Sequence, residues 1–273
     1  MKKNLIIILA GLCVVASCNK KNDILQGPQP PVTDAKTILL KEINIERLPS
    51  PFFQFVYDNS GFVTQIGFAS QLNSWQVQYK NNRVIRMIDG SHDTLAYTYN
   101  NDRVAIVRHT RSSDSAPLWQ YDFSYDNTGL LKQIRYWSFH APGVDSTLYR
   151  KVNITYFSDG NLQQYVDSTV DVTNQLALAA MVTFSGYDQN INVDDLGLLK
   201  NFFEDFLFLP QVKLQKNNPA HEIYVSVETD YLFDFTYQYN SKKLPLVKGE
   251  TFLVTRGTDI GFQGTASTQF TYY

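Results

Sequence analysis

Thiols are nearly absent from this 273-residue chain, which has only Cys13 and Cys18. No disulfide can staple the body of the protein, so stability has to come from a buried core. Apolar runs long enough to cross a bilayer as a helix, roughly 20 residues, are missing too. The longest runs from Leu5 to Val15. Charge of one sign is also lacking: 24 Lys and Arg face 26 Asp and Glu, for a net −2. No basic run is longer than a pair such as Lys20-Lys21, which argues against nucleic acid as a partner. Catalytic signatures are wanting as well. There is no HExxH, no GxSxG and no phosphate loop. His92, His109, His140 and His221 are scattered, and none lies at metal-ligand spacing from another. No metal and no cofactor is expected.

The N-terminus carries a clear signal. Lys2 and Lys3 precede the short apolar run, as in a secretory leader. Val15-Ala16-Ser17-Cys18 resembles the lipobox of bacterial lipoproteins. That resemblance implies a signal peptide over 1–17 and Cys18 as the lipidated new N-terminus. Two or more acyl chains, at about 0.8 kcal/mol per buried methylene, would then hold the chain at a membrane. The stretch Asn19–Asp34 (NKKNDILQGPQPPVTD) is polar and rich in Pro and Gln. Residues 18–34 therefore read as lipidated Cys and flexible tether, a coil about 20–25 Å across that reaches ~50 Å when extended. Residues 35–273 read as one β domain.

That domain is written in two-residue alternation. A Tyr followed four residues later by Gly, Arg or Lys occurs at Tyr57/Gly61, Tyr79/Arg83, Tyr99/Arg103, Tyr125/Gly129, Tyr156/Gly160 and Tyr239/Lys243. Stepping back by twos from each Tyr gives Phe55 and Phe53, Val77 and Trp75, Tyr97 and Leu95, Phe123 and Tyr121, Ile154 and Val152, Tyr237 and Phe235. All are apolar or aromatic. The interleaved positions are polar except Val56 and Ala96. This is a strand with one face in a core and the other in water. After each Tyr comes turn chemistry. Asp58-Asn59-Ser60-Gly61 and Asp126-Asn127-Thr128-Gly129 suit a type I turn closed by a left-handed Gly; Asn81-Asn82 and Asn101-Asp102 suit tighter turns needing positive φ. The return strands are less regular, and bulges are expected there.

The Tyr-Asp-x-x-Gly hairpins at Tyr57-Asp58 and Tyr125-Asp126 resemble the YD repeats of Rhs-type and other bacterial surface proteins. Successive tyrosines lie 22, 20, 26, 31 and then 83 residues apart, too irregular for a regular coiled shell. The chain as a whole resembles uncharacterised envelope lipoproteins of Gram-negative bacteria: a lipobox, a Pro-rich tether, degenerate YD-like hairpins, and Asn217-Asn218-Pro219 before the last hairpins. The long gap holds a helical pattern. Asp194-Asp195 would cap it, and Leu196, Leu199, Phe202, Phe203 and Phe206 fall on one stripe before Pro210. The expected fold is mainly β: a large curved antiparallel meander, an open half-barrel or rolled sheet, with one amphipathic helix at about 194–208 on its concave face.

Candidate sites are few. His92-Asp93 has the makings of an acid/base pair, but it reads first as two polar residues of a turn. Asp188-Gln189-Asn190 and Asp194 are oxygen-rich but lack the spacing of a calcium loop. Trp137, Phe139 and Tyr149 fall off the core register beside polar residues and are the candidate ligand-binding rings, since sugar C–H faces stack on aromatics. A second packed face would use them equally well. The sequence reads as a non-catalytic, lipid-anchored cell-envelope binding or scaffold protein of the outer membrane, on its periplasmic or surface side. Its expected partners are the membrane, through the N-terminal lipid, and a glycan or envelope protein. A periplasmic lipid or lipoprotein carrier with a half-barrel is the alternative. A glycoside hydrolase-like enzyme using carboxylates such as Asp89, Asp93 or Asp145 is the second alternative.

Overall fold

The computed structural model describes residues 38–139, 145–193, 199–201 and 206–273. The strands are β1 (Leu40–Ile45), β2 (Phe53–Tyr57), β3 (Val63–Phe68), β4 (Asn73–Lys80), β5 (Arg83–Asp89), β6 (Thr94–Asn100), β7 (Arg103–Thr110), β8 (Pro117–Tyr125) and β9 (Leu131–Phe139). Then come β10 (Ser146–Tyr156), β11 (Leu162–Val170), β12 (Leu176–Ser185), β13 (Leu199–Asn201), β14 (Phe206–Phe208), β15 (His221–Ser226), β16 (Asp230–Tyr239), β17 (Pro245–Arg256) and β18 (Gln263–Tyr272). All but β13 and β14 form one antiparallel ring, in chain order, that closes where β1 meets β18. Ile43 lies opposite Phe270, and Ile45 opposite Thr268.

Closure corrects the expected open half-barrel. An open sheet of this size would leave two edges of unpaired N–H and C=O groups, and pairing β1 with β18 removes both. The expected helix is also corrected. Among the described residues there is no α-helix. Leu199–Asn201 and Phe206–Phe208 pair antiparallel instead, Leu199 with Phe208 and Lys200 with Leu207. The rest of the predicted helix, 194–198 and 202–205, lies outside the described residues. The physical reason is the surroundings. Leu207, Phe208 and Leu209 are consecutive and all buried, in one cluster with Phe55, Tyr97 and Phe123 from the ring. A segment enclosed on every side needs no polar face, so its apolar spacing carries no period. It runs inside the barrel, where the Tyr97 phenol reaches the Phe208 backbone.

The repeat tyrosines sit at one end of the barrel and wire it laterally. Tyr57 donates to the carbonyl of Leu40 at 2.7 Å, Tyr99 to Val84 at 2.9 Å, Tyr125 to Val104 at 2.9 Å and Tyr156 to Leu131 at 2.9 Å. Each phenol thus crosses to the preceding hairpin. Each acceptor sits where the ladder shifts register, as at Val104/Ile106 opposite Tyr99/Thr98 and Leu131/Gln133 opposite Tyr125/Ser124. The bulges expected in the return strands are these shifts, and the tyrosine satisfies a carbonyl at the interruption. Tyr187 and Tyr272 make the same bond, to Leu162 at 2.6 Å and Pro245 at 2.7 Å. The partner Asp of the motif works locally. Asp126 Oδ1 accepts the amides of Thr128, Gly129 and Leu130 at 2.8–2.9 Å. Asn81 (φ 52°), Asn82 (φ 59°) and Asn101 (φ 53°) take the left-handed conformation their tighter turns require.

At the same end a buried amide clamp fixes the inserted segment. Asn161, 1% exposed, accepts the amides of Lys216 and Asn217 at 2.9 and 3.0 Å. Asn217 Nδ2 donates to Asn190 O at 2.9 Å, and Asp188 Oδ1 accepts the Asn218 amide at 3.1 Å. Tyr239 closes on the Asp188 carboxylate. The oxygen-rich Asp188–Asn190 stretch and Asn217-Asn218 are thus two halves of one hydrogen-bonded strap. Among the described residues no cluster of three or more His, Cys, Asp or Glu could hold a metal.

Side-chain polarity is inside-in. Phe55, Ile66, Met87, Val107, Tyr121 and Ile134 are fully buried in the lumen. Outward positions between them include the exposed Gln76, Gln78, Thr98 and Arg108. Outside, Arg108 Nε donates to Gln120 at 2.9 Å, and Gln120 to Asp122 at 2.7 Å. A lipid-embedded barrel has the opposite pattern, an apolar outer band around a polar lumen.

Candidate functional site

The lumen changes character around the ring. From β2 to β9 its inward side chains are almost all apolar or aromatic. On the β15–β17 wall, charges interrupt them. Directly opposed residues of an antiparallel pair share a face. Phe233 lies opposite Glu222, Phe235 opposite Glu250 and Tyr237 opposite Lys248. Phe235 is a buried lumen residue, so Glu222, Lys248 and Glu250 face inward with it.

The three form a tight group. Lys248 Nζ stands 3.6 Å from Glu250 Oε2 and 3.8 Å from the centre of the Phe235 ring. An ammonium over an aromatic face is held by the ring quadrupole as well as by its counter-ion. Both side chains still keep 28–29% exposure, so they line space rather than packed core. Burial pushes the Glu222 carboxyl up to about 7; Lys248 opposes this and Glu250 adds to it. Burial also pushes the Lys248 ammonium below the usual lysine range, against the pull of Glu250 and Glu222. The next wall continues the polar band. Arg150 Nε donates to both oxygens of Asp167, at 2.8 and 2.9 Å, with Asp167 only 4% exposed. Between the two groups stands the half-buried Tyr165, whose phenol is raised by burial and by Glu222.

Around the carboxylates are aromatic planes. Tyr231, Phe233 and Phe235 run in a stacked file along β16, with centroids 5.8 and 6.3 Å apart. Phe252 joins from β17, 6.0 Å from Phe233, and lies over Gly264, where a Cβ would come within 2.4 Å of the ring. Chemically, such a wall offers hydrogen-bond acceptors, one ammonium and flat apolar faces. That is what a polyhydroxylated ring needs, with C–H faces on aromatics and hydroxyls on carboxylates.

The sequence-derived candidates are placed differently. Trp137 points outward, its Nε1 donating to Asp122 at 2.7 Å under the Arg135 guanidinium. Phe139 follows two positions later on the same strand, half-buried, with Ser146 opposite. Tyr149 sits at the β10 bulge, 50% exposed, edge-on to Tyr136 at 5.9 Å. Trp137 and Phe139 thus share a strand two positions apart, and Tyr149 lies on the paired strand beside them. Asp89 caps a turn through the amides of Ser91 and Asp93. Asp93 accepts the Ser112 amide at 2.8 Å and lies 3.7 Å from His109 Nε2. Asp145 is exposed. Glu222, Lys248 and Glu250 were not anticipated. One signal for them existed: stepping back by twos from Val254 gives Phe252, Glu250 and Lys248, a core-facing register with charges in it.

No family model matches the chain, and no curated protein matches it. Solved structures do. A porin-like protein from Bacteroides uniformis superposes with a TM-score of 0.61 at 14% identity, covering 91% of this chain and 99% of its own. A porin-like protein from Bacteroides vulgatus gives 0.55 at 12% identity, covering 86% and 99%. The TcdB2-TccC3 structure aligns over 78% of this chain and 16% of its own, at a TM-score of 0.25 that carries no weight. What the two Bacteroides likenesses establish is the fold: this chain has the same large β-barrel architecture as two whole bacterial porin-like chains.

Proposed function

We propose that this chain is a non-catalytic, lipid-anchored binding protein of the bacterial outer membrane, taking a glycan segment against the charged, aromatic wall of its lumen. One observation carries the reading most directly. The barrel turns most of its rings inward and most of its Gln, Arg and Thr side chains outward, with Trp137, Ile223 and Leu232 as outward exceptions, which supports a barrel that stands in water beside a membrane rather than one that spans it. The segment through Leu207–Leu214 also fills part of the lumen, which speaks against an open pore. The lipobox-like Cys18 supplies the means of attachment, and the Glu222–Lys248–Glu250 group supplies the recognition chemistry. The half-barrel carrier loses its premise with the closed ring. The test is a glycan array probed with the mature chain and with a Phe233→Ala, Glu250→Gln double variant. Binding by the first and at least tenfold weaker binding by the second is the expected result. Silence from both refutes the glycan reading, and single-channel conductance in a planar bilayer refutes the water-facing one.

A second reading has one observation in its favour. Glu222 is pushed up to about 7 by burial while Glu250 is paired with an ammonium nearby. Two carboxyls in unlike environments are the equipment of a glycosidase. Hydrolysis of an oligosaccharide panel, abolished by Glu222→Gln, would favour this enzyme over the binding protein.

A further inference from the structure

The two ends of the barrel carry different chemistry. At the tyrosine end, turn tips are polar: Asn59-Ser60, Asn81-Asn82, Asn101-Asp102, Asn127-Thr128. At the other end, five loops that are neighbours around the ring each project a large apolar side chain. Val172 lies between β11 and β12 and is fully exposed; Val227, between β15 and β16, is 70% exposed. Ile260 and Phe262, between β17 and β18, are 68% and 58% exposed. Leu48, between β1 and β2, is 44% exposed, and Leu72, between β3 and β4, is 84% exposed. The order β11–β12–β15–β16–β17–β18–β1–β2–β3–β4 makes this one continuous arc of the rim. The remaining described loops of that end, at Gly90–Asp93 and Arg111–Ala116, carry no such residue.

We propose that this arc is a membrane-contacting rim, whose apolar tips dip into the interfacial region of a zwitterionic bilayer. The proposal rests in part on the anchoring reading above, because the anchor brings a bilayer within reach. Separate tips on a ring suit a plane of no fixed shape better than a partner protein, which would need a contiguous apolar face. The tether permits this orientation. β1 starts at the tyrosine end, so the chain before Leu40 leaves from the opposite side. Its roughly 20 residues beyond Cys18 extend to ~70 Å, whereas strands of about ten residues stand ~30 Å tall, so the linker can run back down the barrel wall. Charge selects the lipid. Asp171, Glu228 and Asp259 lie in the same loops as the tips, where the one exposed cation, Arg47, is paired with Glu46, so these loops would be repelled by an anionic surface.

The experiment uses the unlipidated chain from Asn19 to Tyr273, which carries every strand of the ring, and a Leu72→Ser, Val172→Ser, Val227→Ser, Ile260→Ser variant. Each is floated with phosphatidylcholine vesicles, and with vesicles containing 30% phosphatidylglycerol. The parent should float on phosphatidylcholine, less well on the anionic vesicles, and at least tenfold better than the variant. Equal flotation of parent and variant, or none by the parent, overturns the rim. So does a parent that dimerises in size-exclusion chromatography through these residues but ignores vesicles. Radiolabelled palmitate incorporation into the full chain tests the anchor separately. A labelled chain whose unlipidated form does not float refutes the rim and leaves the anchor standing. An unlabelled chain whose Asn19–Tyr273 form floats does the reverse.

Discussion

The Tyr125 hydroxyl donates to the Val104 carbonyl at 2.9 Å, tying the fourth repeat tyrosine to the hairpin before it rather than to its own. The same bond recurs around the ring, so the motif is a lateral fastener as much as a core residue. Burial pushes the hydroxyls of Tyr57, Tyr125 and Tyr272 up; that of Tyr99 rises to about 12, with the Arg83 guanidinium opposing.

Removing only that oxygen isolates the fastener. Tyr125→Phe should cost about 1–2 kcal/mol, a buried acceptor left without its donor. Tyr125→Ala should cost about 3–5 kcal/mol through the added cavity. Urea unfolding of both variants checks the order, and an equal loss for both would show that the ring does all the work.

Gly129 stands under its neighbour's side chain. Its φ is +98°, and a Cβ there would come within 2.4 Å of Arg103 Nη2. Arg103 itself lies over the Tyr125 ring, 5.4 Å from its centre. Gly129→Ala should therefore destabilise by about 1–2 kcal/mol from backbone strain and displacement together. Adding Arg103→Ala should restore the steric part alone, a non-additivity readable in a double-mutant cycle.

Glu222 predicts a pH dependence of definite sign. Its folded pKa, about 7, lies above the unfolded value near 4.5, so the folded state binds the extra proton between them. Its contribution is fully present below about 4.5 and fades as pH rises through 7. Glu222→Gln should flatten melting temperature against pH in that window. Asp126 and Asp188 act in the opposite sense at lower pH. Thr128 and the turn amides hold Asp126 below the usual carboxylate range; Tyr239, Asn190 and Asn218 do so for Asp188 against its burial. Their stabilisation is lost as pH falls below about 4.

The amide strap can be cut without touching the ring. Asn218, 2% exposed, donates its backbone amide to Asp188 and directs its side-chain amide at Asp188, Asn190 and Ile191. Asn218→Ala should cost about 1–3 kcal/mol. It should also speed proteolysis within 187–219 before the rest of the chain, as mass mapping of limited digests would reveal.

How legible was this in the sequence? The six hairpins were, because a Tyr with alternating apolar residues before it leaves little choice of face. Two more members of the set escaped. Tyr187 lies three residues beyond the inward Phe184, so Ser185-Gly186 breaks the parity that the other tyrosines keep. Behind Tyr272 stand Phe270, Thr268 and Ala266, too small and polar to read as a core face. The 194–208 segment read as a helix because Leu and Phe at mixed spacing satisfy a helical stripe. Leu207, Phe208 and Leu209 are all buried in succession, so at that end the stripe carries no meaning. Closure could not be read either, since no local signal ties Ile43 to Phe270 across most of the chain. The luminal charges were harder to read: only the alternation back from Val254 places Glu250 and Lys248 inward, and the register with Phe235 fixes it.

The seam between β1 and β18 makes the newest part of the chain the keystone of the oldest. Until residues 263–272 arrive, Leu40–Ile45 has a partner on one side only, and β17 offers a raw edge to any passing strand. An emerging polypeptide therefore gains little by folding early, and a nonsense codon a dozen residues short of the end should yield aggregate rather than a slightly weaker barrel. Any factor that holds such a chain has to keep β1 and β17 unpaired until residues 263–272 are available.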